Sequence, residues 1–190
     1  LDLTTEQFQP VKEVPKDIVF SIITDRNKNT WVSTSRYGVY QFGPSKKLSR
    51  NFTAKKSLNS LSLNQVRRLV EDNDGRIWMG TFGEGIDIYD PQSGRFTHFK
   101  KGKDAASLSG NYVLSLYKDL DGNVWAGTLS DGLSVWMKNE NRFKVYRQGA
   151  NSINDNIVRA IYQPHKGEVY IGTEHGLNVL NTTTNTFTYY

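Results

Sequence analysis

The residue types that most often bind metals or catalyse reactions are few in this sequence. The three histidines, His98, His165 and His175, share no metal-ligand spacing, and we place them in an outer strand, a hairpin turn and a loop. A metal site or a catalytic base needs partners at defined spacings, so we predict surface or structural roles for all three. Cysteine is absent, which excludes thiol nucleophiles, disulfides and cysteine-ligated zinc.

Two further motifs resemble functional loops only in part. Residues 72–75 and 119–122 begin like a calcium loop, but they lack the later ligands and fall where a hairpin turn is needed. Residues 127–132 hold a serine between glycines, yet they do not fit the G-x-S-x-G nucleophile motif. We therefore predict no catalytic residue, no metal and no cofactor, and we do not expect this segment to be an enzyme.

Length and charge limit which kinds of protein this chain can be. The 190 residues suggest one domain, and 24 Lys and Arg against 19 Asp and Glu give a net charge of +5. The small basic clusters lie in polar connectors without neighbouring base-stacking aromatics, so we predict no nucleic-acid binding through this segment. The apolar runs are far shorter than the roughly 20 residues of a membrane-spanning helix.

An internal repeat is the strongest feature of the sequence. Trp31, Trp78, Trp125 and Tyr170 are separated by 47, 47 and 45 residues. An Asp or Asn lies 14 residues before each, a threonine lies three residues after, and a glycine follows six or seven residues after. Such a period is typical of repeat architectures. The three accompanying columns are Asp17, Asn64, Asn111 and Asn156; Thr34, Thr81, Thr128 and Thr173; and Gly38, Gly85, Gly132 and Gly176.

Each repeat predicts four short strands. The first is a nearly continuous apolar run (18–23, 66–70, 113–117 and 157–162), which suits a strand covered on both faces. An Asp-Gly turn, the tryptophan strand, a glycine-bearing turn and a third strand follow. A polar turn then leads to a fourth strand around Phe96, Phe143 or Phe187. No segment has apolar residues at helical spacing with a cap, so we predict almost no helix.

These sheets must be covered by neighbouring sheets, because they are apolar on both faces. Ile86 and Ile88 point to one face and Tyr89 to the other. Four-stranded units of this length packed face to face predict an all-β fold of four antiparallel β-propeller blades. We place the blades at 17–63, 64–110, 111–155 and 156–190, within one propeller segment over 1–190. Small residues two positions after the tryptophan column would let adjacent blades approach closely; they are Ser33, Gly80, Gly127 and Gly172.

The start of the chain resembles the end of a blade. Residues 1–8 align with 180–187 at a constant offset of 179. We therefore interpret 1–16 as the outer half of a preceding blade and its connector. The chain then holds five outer half-blades and four inner ones, which predicts that it is part of a larger propeller.

The repeat resembles a known family. The pattern V-x-x-[IL]-x-x-D-x-x-G-x-[IVL]-W-[IVMA]-G-T-x-x-x-G is similar to the two-component regulator propeller repeat, most clearly at 66–99 and 113–146. The first blade departs from it at Ser33 and Gln41, and the fourth at Pro164 and Tyr170. The family builds the periplasmic sensor region of bacterial hybrid two-component system proteins. The resemblance implies a membrane-anchored, dimeric parent that binds oligosaccharides and signals to an intracellular histidine kinase, whose catalytic parts this segment lacks.

A binding site is best sought in the loop after the W-x-G-T motif, because its residues differ between repeats while the motif does not. Aromatic faces stack on sugar rings, and charged side chains hydrogen-bond to hydroxyl groups. Two less regular residues near the inner strands could line the channel, whereas we interpret the regular Asp and Asn column as structural. The candidates are Arg36, Tyr37, Phe82, Glu84, Asp131, Glu174 and His175 in the loops, and Arg67 and Arg159 beside them.

Three functions remain open on the sequence. The leading hypothesis is a ligand-sensing propeller segment that binds an oligosaccharide and packs against further blades of the same parent chain. The alternative is a protein-interaction propeller without a small-molecule ligand. A hydrolase or lyase propeller would need acid and base residues in the channel, and the sequence offers no such cluster.

Overall fold

The structure is a computed structural model that describes residues 11–104 and 106–190. These residues form four separate four-stranded antiparallel sheets, each in simple chain order, and contain no helix. The predicted all-β fold and its four blades are confirmed. The first ten residues of the predicted outer half-blade lie outside the described residues. None of the described residues belongs to a helix long and apolar enough to span a membrane.

The strands follow one another along the chain, and the innermost strand of each blade comes first. Blade 1 contains β1 (Val19–Thr24), β2 (Thr30–Thr34), β3 (Val39–Phe42) and β4 (Leu48–Phe52). Blade 2 contains β5 (Val66–Glu71), β6 (Ile77–Thr81), β7 (Ile86–Asp90) and β8 (Arg95–Phe99). Blade 3 contains β9 (Val113–Lys118), β10 (Val124–Thr128), β11 (Leu133–Met137) and β12 (Arg142–Tyr146). Blade 4 contains β13 (Val158–His165), β14 (Glu168–Thr173), β15 (Gly176–Asn181) and β16 (Thr186–Tyr189).

The first strand of blade 4 is longer than the sequence predicts. It extends to His165, which pairs with Glu168 across a two-residue turn at 166–167. His165 therefore ends a strand, and its predicted place in the turn is wrong. Gly167 supplies the positive φ, 93°, that a tight hairpin needs.

Adjacent blades pack through three apolar clusters, one for each interface. The tryptophan face of one blade lies against the opposite face of the next, so that Trp31 packs with Leu69 and Met79 of blade 2. Trp78 and Trp125 occupy the same position in the interfaces of blades 2 with 3 and 3 with 4. This arrangement explains why both faces of each sheet are apolar.

Glycine two positions after the tryptophan allows this close packing in blades 2 and 3. A Cβ atom on Gly80 would lie 2.7 Å from Val113 Cγ1, and one on Gly127 would lie 2.6 Å from Val158 Cγ1. Real Cβ atoms do not approach other carbons so closely, so a side chain at either position would push the blades apart. Gly172 differs, because its hypothetical Cβ meets only Ala160 of its own blade, at 3.4 Å.

A buried aspartate holds the indole of each tryptophan. The Nε1–H groups of Trp31, Trp78 and Trp125 donate to aspartates six residues earlier, at 2.8 to 2.9 Å. Burial opposes ionisation of Asp25, but hydrogen bonds from Asn29 and Trp31 outweigh it and lower the pKa of that carboxyl. Blade 4 has Pro164 and Tyr170 at the two positions, so this bond cannot form there. The three acceptors are Asp25, Asp72 and Asp119.

The asparagine column also has a structural role. In three blades the asparagine Oδ1 accepts a backbone N–H from the segment that leaves the preceding blade, at 2.6 to 2.8 Å. The asparagine thereby ties two blades together where their chains meet. The three pairs are Asn64 with Ala54, Asn111 with Lys101, and Asn156 with Gln148.

The two end faces of the array remain open. Ile22 on the free face of blade 1 is 64% exposed, and Tyr162 on the free face of blade 4 is 58% exposed. Val32 and Phe42 line an apolar groove of about 400 Å³ on the first of these faces. Equivalent residues in the other blades are covered by a neighbouring sheet, so the first and last blades do not cover each other.

Candidate ligand-binding rim

One end of every blade carries all the candidate residues. The start of each inner strand pairs with the end of the tryptophan strand, as Val66 does with Thr81. The loop between the second and third strands therefore lies beside the start of the first. We call this end of the molecule the rim; it consists of residues 17–20, 35–38, 64–67, 82–85, 111–114, 129–132, 156–159 and 174–176.

The motif threonine shapes each rim loop. Its hydroxyl donates to the carbonyl of the loop glycine at 2.8 to 3.1 Å. The first loop residue is fixed by a second bond, because its N–H donates to the carbonyl of a residue just before the inner strand. These bonds fix the ends of the four loops in the same way and leave their side chains free to differ, although the blade 4 loop is one residue shorter. The residues fixed in this way are Ser35, Phe82, Leu129 and Glu174.

Every inner strand contains a β-bulge at its second residue. In β5, Val66 pairs with Thr81 and Arg68 with Gly80, so Arg67 has no partner in the ladder. The same shift occurs in β1, β9 and β13. A bulge redirects the extra side chain, and bulges are common beside functional sites. The four bulged residues are Phe20, Arg67, Leu114 and Arg159, which form the column that the sequence shows as less regular.

Arg67 lies between two aromatic rings. Its guanidinium carbon is 4.4 Å from the centre of the Phe20 ring in blade 1 and 4.3 Å from that of Phe82 in its own blade. Phe82 also contacts the Tyr112 ring edge to face, with the ring centres 5.2 Å apart. Tyr112 belongs to blade 3 and is 45% exposed. The four side chains, which we call the rim stack, join three blades.

Arg159 occupies the same bulge position in blade 4 but makes an ion pair. Its Nε donates to the carboxylate of Glu174, the residue equivalent to Phe82. The bond from Arg159 lowers the pKa of Glu174 and raises the pKa of the guanidinium. Both side chains are more than two-fifths exposed. The sequence placed both residues in the site, and the structure brings them together as partners.

In blade 1 a candidate residue, Arg36, also has a partner within the protein. Asp17 accepts the backbone N–H of Arg36 at 2.7 Å and its Nε at 3.1 Å. Desolvation works against ionisation of Asp17, but these bonds prevail and lower its pKa. The Arg36 guanidinium lies 5.4 Å from the centre of the Tyr37 ring. Tyr37 is 38% exposed and offers an aromatic face at the rim.

The acidic candidates of blades 2 and 3 turn toward lysines. Glu84 pairs with Lys100, and Asp131 pairs with Lys101. Glu84 and Lys55 also line a groove of about 460 Å³, and this groove lies on the outer side of the blades. The Glu84 carboxylate is therefore paired with Lys100 and makes no ion pair with Arg67, although Glu84 and Arg67 share a blade.

The histidines have structural partners. His175 Nδ1 bonds to Asp155, whose pKa is lowered by the Ile157 backbone N–H and by His175. His98 Nδ1 bonds to the buried Asp87 at 2.6 Å. Within residues 11–104 and 106–190, no three His, Asp or Glu side chains lie close enough together to hold a metal ion.

A second groove is less suited to a ligand. It has a volume of about 890 Å³ and runs between blades 2 and 3 on the outer side. Two of its arginines are already paired, since Arg76 bonds to Asp72 and Arg142 bonds to Glu140. The rim stack differs because, among the described residues, it contains an arginine whose Nε atom is buried without a hydrogen-bond partner.

Sequence reasoning missed two members of the rim stack. Tyr112 follows a regular asparagine and was not singled out, although the equivalent residues in the other blades, Ile18, Gln65 and Ile157, are not aromatic. Phe20 occupies the same column as Arg67 and Arg159 and is not among the sequence candidates. An aromatic residue that departs from its own column is the signal that identifies both.

A family comparison matches the two central blades. Residues 60–83 and 107–130 match the family model described as two component regulator propeller. The two central repeats are therefore similar to the two-component regulator propeller repeat. The matched segments contain β5 with β6 and β9 with β10, where the resemblance in sequence is strongest. In this chain the repeat motif stabilises the blade itself, as the Trp78 and Thr81 bonds illustrate.

Solved structures share the fold of these propeller repeats. The extracellular domain of BT3049 from B. thetaiotaomicron, described as a hybrid two component system, has a TM-score of 0.84 at 19% identity over 97% of this chain and 26% of its own. The extracellular domain of BT4673 from the same organism, also described as such a system, has a TM-score of 0.75 at 19% identity, with 91% and 25% covered. PorZ of Porphyromonas gingivalis, a surface component of the type-IX secretion system, has a TM-score of 0.63 at 18% identity, with 91% and 26% covered.

The chain spans about a quarter of the length of these structures. No curated protein is significantly similar to it in sequence.

Proposed function

We propose that this propeller segment senses an oligosaccharide for a bacterial two-component system. The observation that carries the proposal is the rim stack, in which Arg67 and three aromatic rings from blades 1 to 3 form one surface. A ligand that touched this surface would contact three blades at once. Its binding would therefore depend on how the blades are arranged, as a sensor requires.

The chemistry of the rim suits a sugar. Tyr112 and Tyr37 are about two-fifths exposed and present aromatic faces, on which the apolar face of a pyranose ring can stack. Arg36, Glu174 and His175 are exposed and can exchange hydrogen bonds with hydroxyl groups. Loops that are fixed at both ends but vary in their side chains also allow related proteins to recognise different sugars.

The rest of the sensor follows from the open faces and the family. Further blades of the same parent chain would cover Ile22 and Tyr162, completing a larger propeller that includes the outer half-blade of 1–16. The parent would lie in the inner membrane as a homodimer, with this region in the periplasm and a histidine kinase inside the cell. The two similar structures from B. thetaiotaomicron are extracellular domains, which supports this placement.

Calorimetric titration of the full protein with a panel of plant and host oligosaccharides tests the proposal. We expect one family of oligosaccharides to bind, and Tyr112→Ala to weaken its binding about tenfold, because one stacked aromatic ring is lost. Tyr189→Ala is the matched control, since Tyr189 is 46% exposed against 45% for Tyr112 but lies on the outer strand. No binding by any oligosaccharide, or equal losses in the two variants, would contradict the proposal.

A protein-interaction role is the second candidate. The observation that favours it is Leu58, which is 87% exposed in the connector between blades 1 and 2. The same titrations separate the two functions, because an interaction propeller would bind no oligosaccharide. It would instead lose its protein partner when Leu58 is replaced by Asp.

A further inference from the structure

The rim stack contains a cation whose charge has no counterpart. Arg36 bonds to Asp17, and Arg159 bonds to Glu174. Arg67 makes no hydrogen bond or ion pair that the described residues provide, and its Nε atom is buried without a hydrogen-bond partner. Only the rings of Phe20 and Phe82 compensate for its partial removal from water.

An unpaired, half-buried guanidinium is costly, so its retention needs a reason. A buried polar group without a hydrogen bond costs free energy, whereas cation–π contacts return only part of it. Glu84, the acidic residue on the loop that carries Phe82, is paired with Lys100. The Asp17 carboxylate is held by Arg36. A negative charge that pairs with the Arg67 guanidinium must therefore come from outside this part of the chain.

The geometry of the stack determines which ligand group fits. The guanidinium carbon lies over the Phe20 and Phe82 rings, 4.4 and 4.3 Å from their centres, so we expect hydrogen bonds to a ligand at the uncovered edge of the group, in its plane. Two parallel N–H donors in one plane match the two oxygens of a carboxylate or of a sulfate ester. Stacking also fixes the orientation of the side chain, so that little entropy is lost on binding.

We propose that Arg67 binds an anionic group of the ligand, a carboxylate or a sulfate ester, and that the sensed oligosaccharide is therefore acidic. This inference rests on the proposed function, since it names the class of oligosaccharide bound at the same rim. Phe20 and Phe82 act as positioning residues for the guanidinium. Tyr112 stacks on the sugar ring that carries or adjoins the anionic group.

The test compares acidic and neutral oligosaccharides on the full protein. The acidic probes are oligogalacturonate and hyaluronan fragments, which carry carboxylates alone, chondroitin sulfate fragments, which carry both groups, and carrageenan fragments, which carry sulfate alone. The neutral probes are xylo-, manno- and galacto-oligosaccharides and the methyl ester of oligogalacturonate. Comparison of the carboxylate probes with carrageenan identifies the group that Arg67 binds. If oligogalacturonate binds, its ester removes the charge and leaves the sugar intact.

Two variants and one control assign the effect to Arg67. Arg67→Met keeps an apolar chain between the rings and removes the donors, and we expect about 10- to 100-fold weaker binding of the acidic probe. Arg67→Lys keeps the charge but loses the paired donors, and it should recover only part of the affinity. Arg142→Met is the control, because it removes one exposed positive charge from the outer strand of blade 3 and should leave binding unchanged.

The outcomes separate this inference from the proposed function. Binding of acidic probes that is lost in Arg67→Met and retained in Arg142→Met supports both. Tight binding of neutral probes that Arg67→Met does not change would overturn the role of Arg67 and leave the oligosaccharide sensor standing. An absence of binding by every probe would overturn both. Should Arg67→Met fail to fold, the comparison of acidic with neutral probes on the unaltered protein still decides the question.

Discussion

Blades 2 and 4 share the β-bulge at the rim but use it for different chemistry. Both carry an arginine on the bulge of the inner strand, Arg67 and Arg159, and both fix the first loop residue beside it. In blade 2 that loop residue is Phe82, and the arginine is stacked. In blade 4 it is Glu174, and the arginine is neutralised. One residue of the loop thus decides whether the cation is available to a ligand.

A second difference between the two arginines comes from the bulged residue of the preceding blade. The bulged residue beside Arg67 is Phe20, whereas the bulged residue before Arg159 is Leu114, which has no π face. An arginine at this column therefore contacts two rings only where an aromatic residue comes from each of two blades. The comparison shows that residues of adjacent blades together form a site at the rim, and that a single repeat does not define one.

The same two blades differ in the scaffold behind the rim. Blade 2 has the Asp72–Trp78 bond and the close contact at Gly80, and it is covered on both faces. Blade 4 has Pro164 and Tyr170 instead, and one face is open. Each of these differences can be tested by a matched pair of substitutions.

The largest effect is expected from Asp72→Ala. The buried carboxylate accepts from the Trp78 indole at 2.8 Å, from Arg76 Nε at 2.7 Å and from two backbone N–H groups. Its removal leaves buried donors unsatisfied, and we expect the free energy of unfolding to fall by about 3 kcal/mol. Urea unfolding of the full protein followed by tryptophan fluorescence measures it.

Pro164→Ala is the matched control in blade 4. The residue is exposed and accepts no indole bond, so its replacement should change the free energy of unfolding by less than about 0.5 kcal/mol. Equal effects of the two substitutions would show that the aspartate bond is not what distinguishes the central blades.

The second effect concerns the spacing of the blades. Gly80→Ala places a methyl group 2.7 Å from Val113 Cγ1, and we expect a loss of about 2 kcal/mol as blades 2 and 3 separate. Gly172→Ala meets only Ala160 at an ordinary 3.4 Å and should be neutral. Thermal unfolding of both variants makes the comparison, and a Gly172→Ala loss as large as that of Gly80→Ala would mean that the blade 4 position is packed as tightly.

The fold could be predicted from the sequence because its causes repeat. Trp78, Thr81 and Gly85 recur at fixed positions, and each makes the same bond or contact in several blades. The asparagine column was likewise interpreted as structural, and Asn64 and its equivalents do bond to backbone. Four copies of a pattern report on local geometry, since chance agreement across them is improbable.

The site could be predicted only in outline. The sequence indicated the right end of the blades and the right loops, and it included Arg67 and Phe82. It did not show that Glu84 turns toward Lys100, because that partner lies in a connector outside the repeat columns. Nor did it show the bulge, which depends on the register of two strands. Contacts between different blades, such as that of Arg67 with Phe20, are set by packing distances that a repeat period does not contain.

The third prediction transfers the blade 4 arrangement to blade 2. Phe82→Glu places a carboxylate beside Arg67, as Glu174 is beside Arg159. We expect an intramolecular ion pair to form and the affinity for an acidic oligosaccharide to fall about tenfold or more, because the ligand must then compete with it. Phe82→Leu is the control for the loss of the ring, and it should weaken binding less than Phe82→Glu. Calorimetric titration of both variants decides the matter, and unchanged affinity in Phe82→Glu would contradict the proposed role of the loop residue.

The smallest expected effect is a pH dependence of stability, which arises from a difference between the third strands of the two blades. In blade 2 the Ser62 N–H is accepted by Asp87, whereas in blade 4 the Asn154 N–H is accepted by Asn178, each at 2.8 Å. Asp87 can titrate and Asn178 cannot. Burial raises the pKa of Asp87. Burial opposes protonation of His98, but the hydrogen bond to Asp87 outweighs it and raises the pKa of the imidazole above its ordinary value of 6.5.

A raised pKa at both groups means that the folded state binds protons more tightly than the unfolded state does. The contribution of His98 to stability is then fully present below pH 6.5 and is lost as the pH rises through its folded pKa. We expect the free energy of unfolding to decline slightly above pH 6.5 and this decline to disappear in His98→Asn. An NMR titration should place the midpoint of the His98 ring signals above 6.5. A midpoint at or below that value would show that the Asp87 carboxylate does not hold the proton on His98, and that blades 2 and 4 differ here in composition but not in their response to pH.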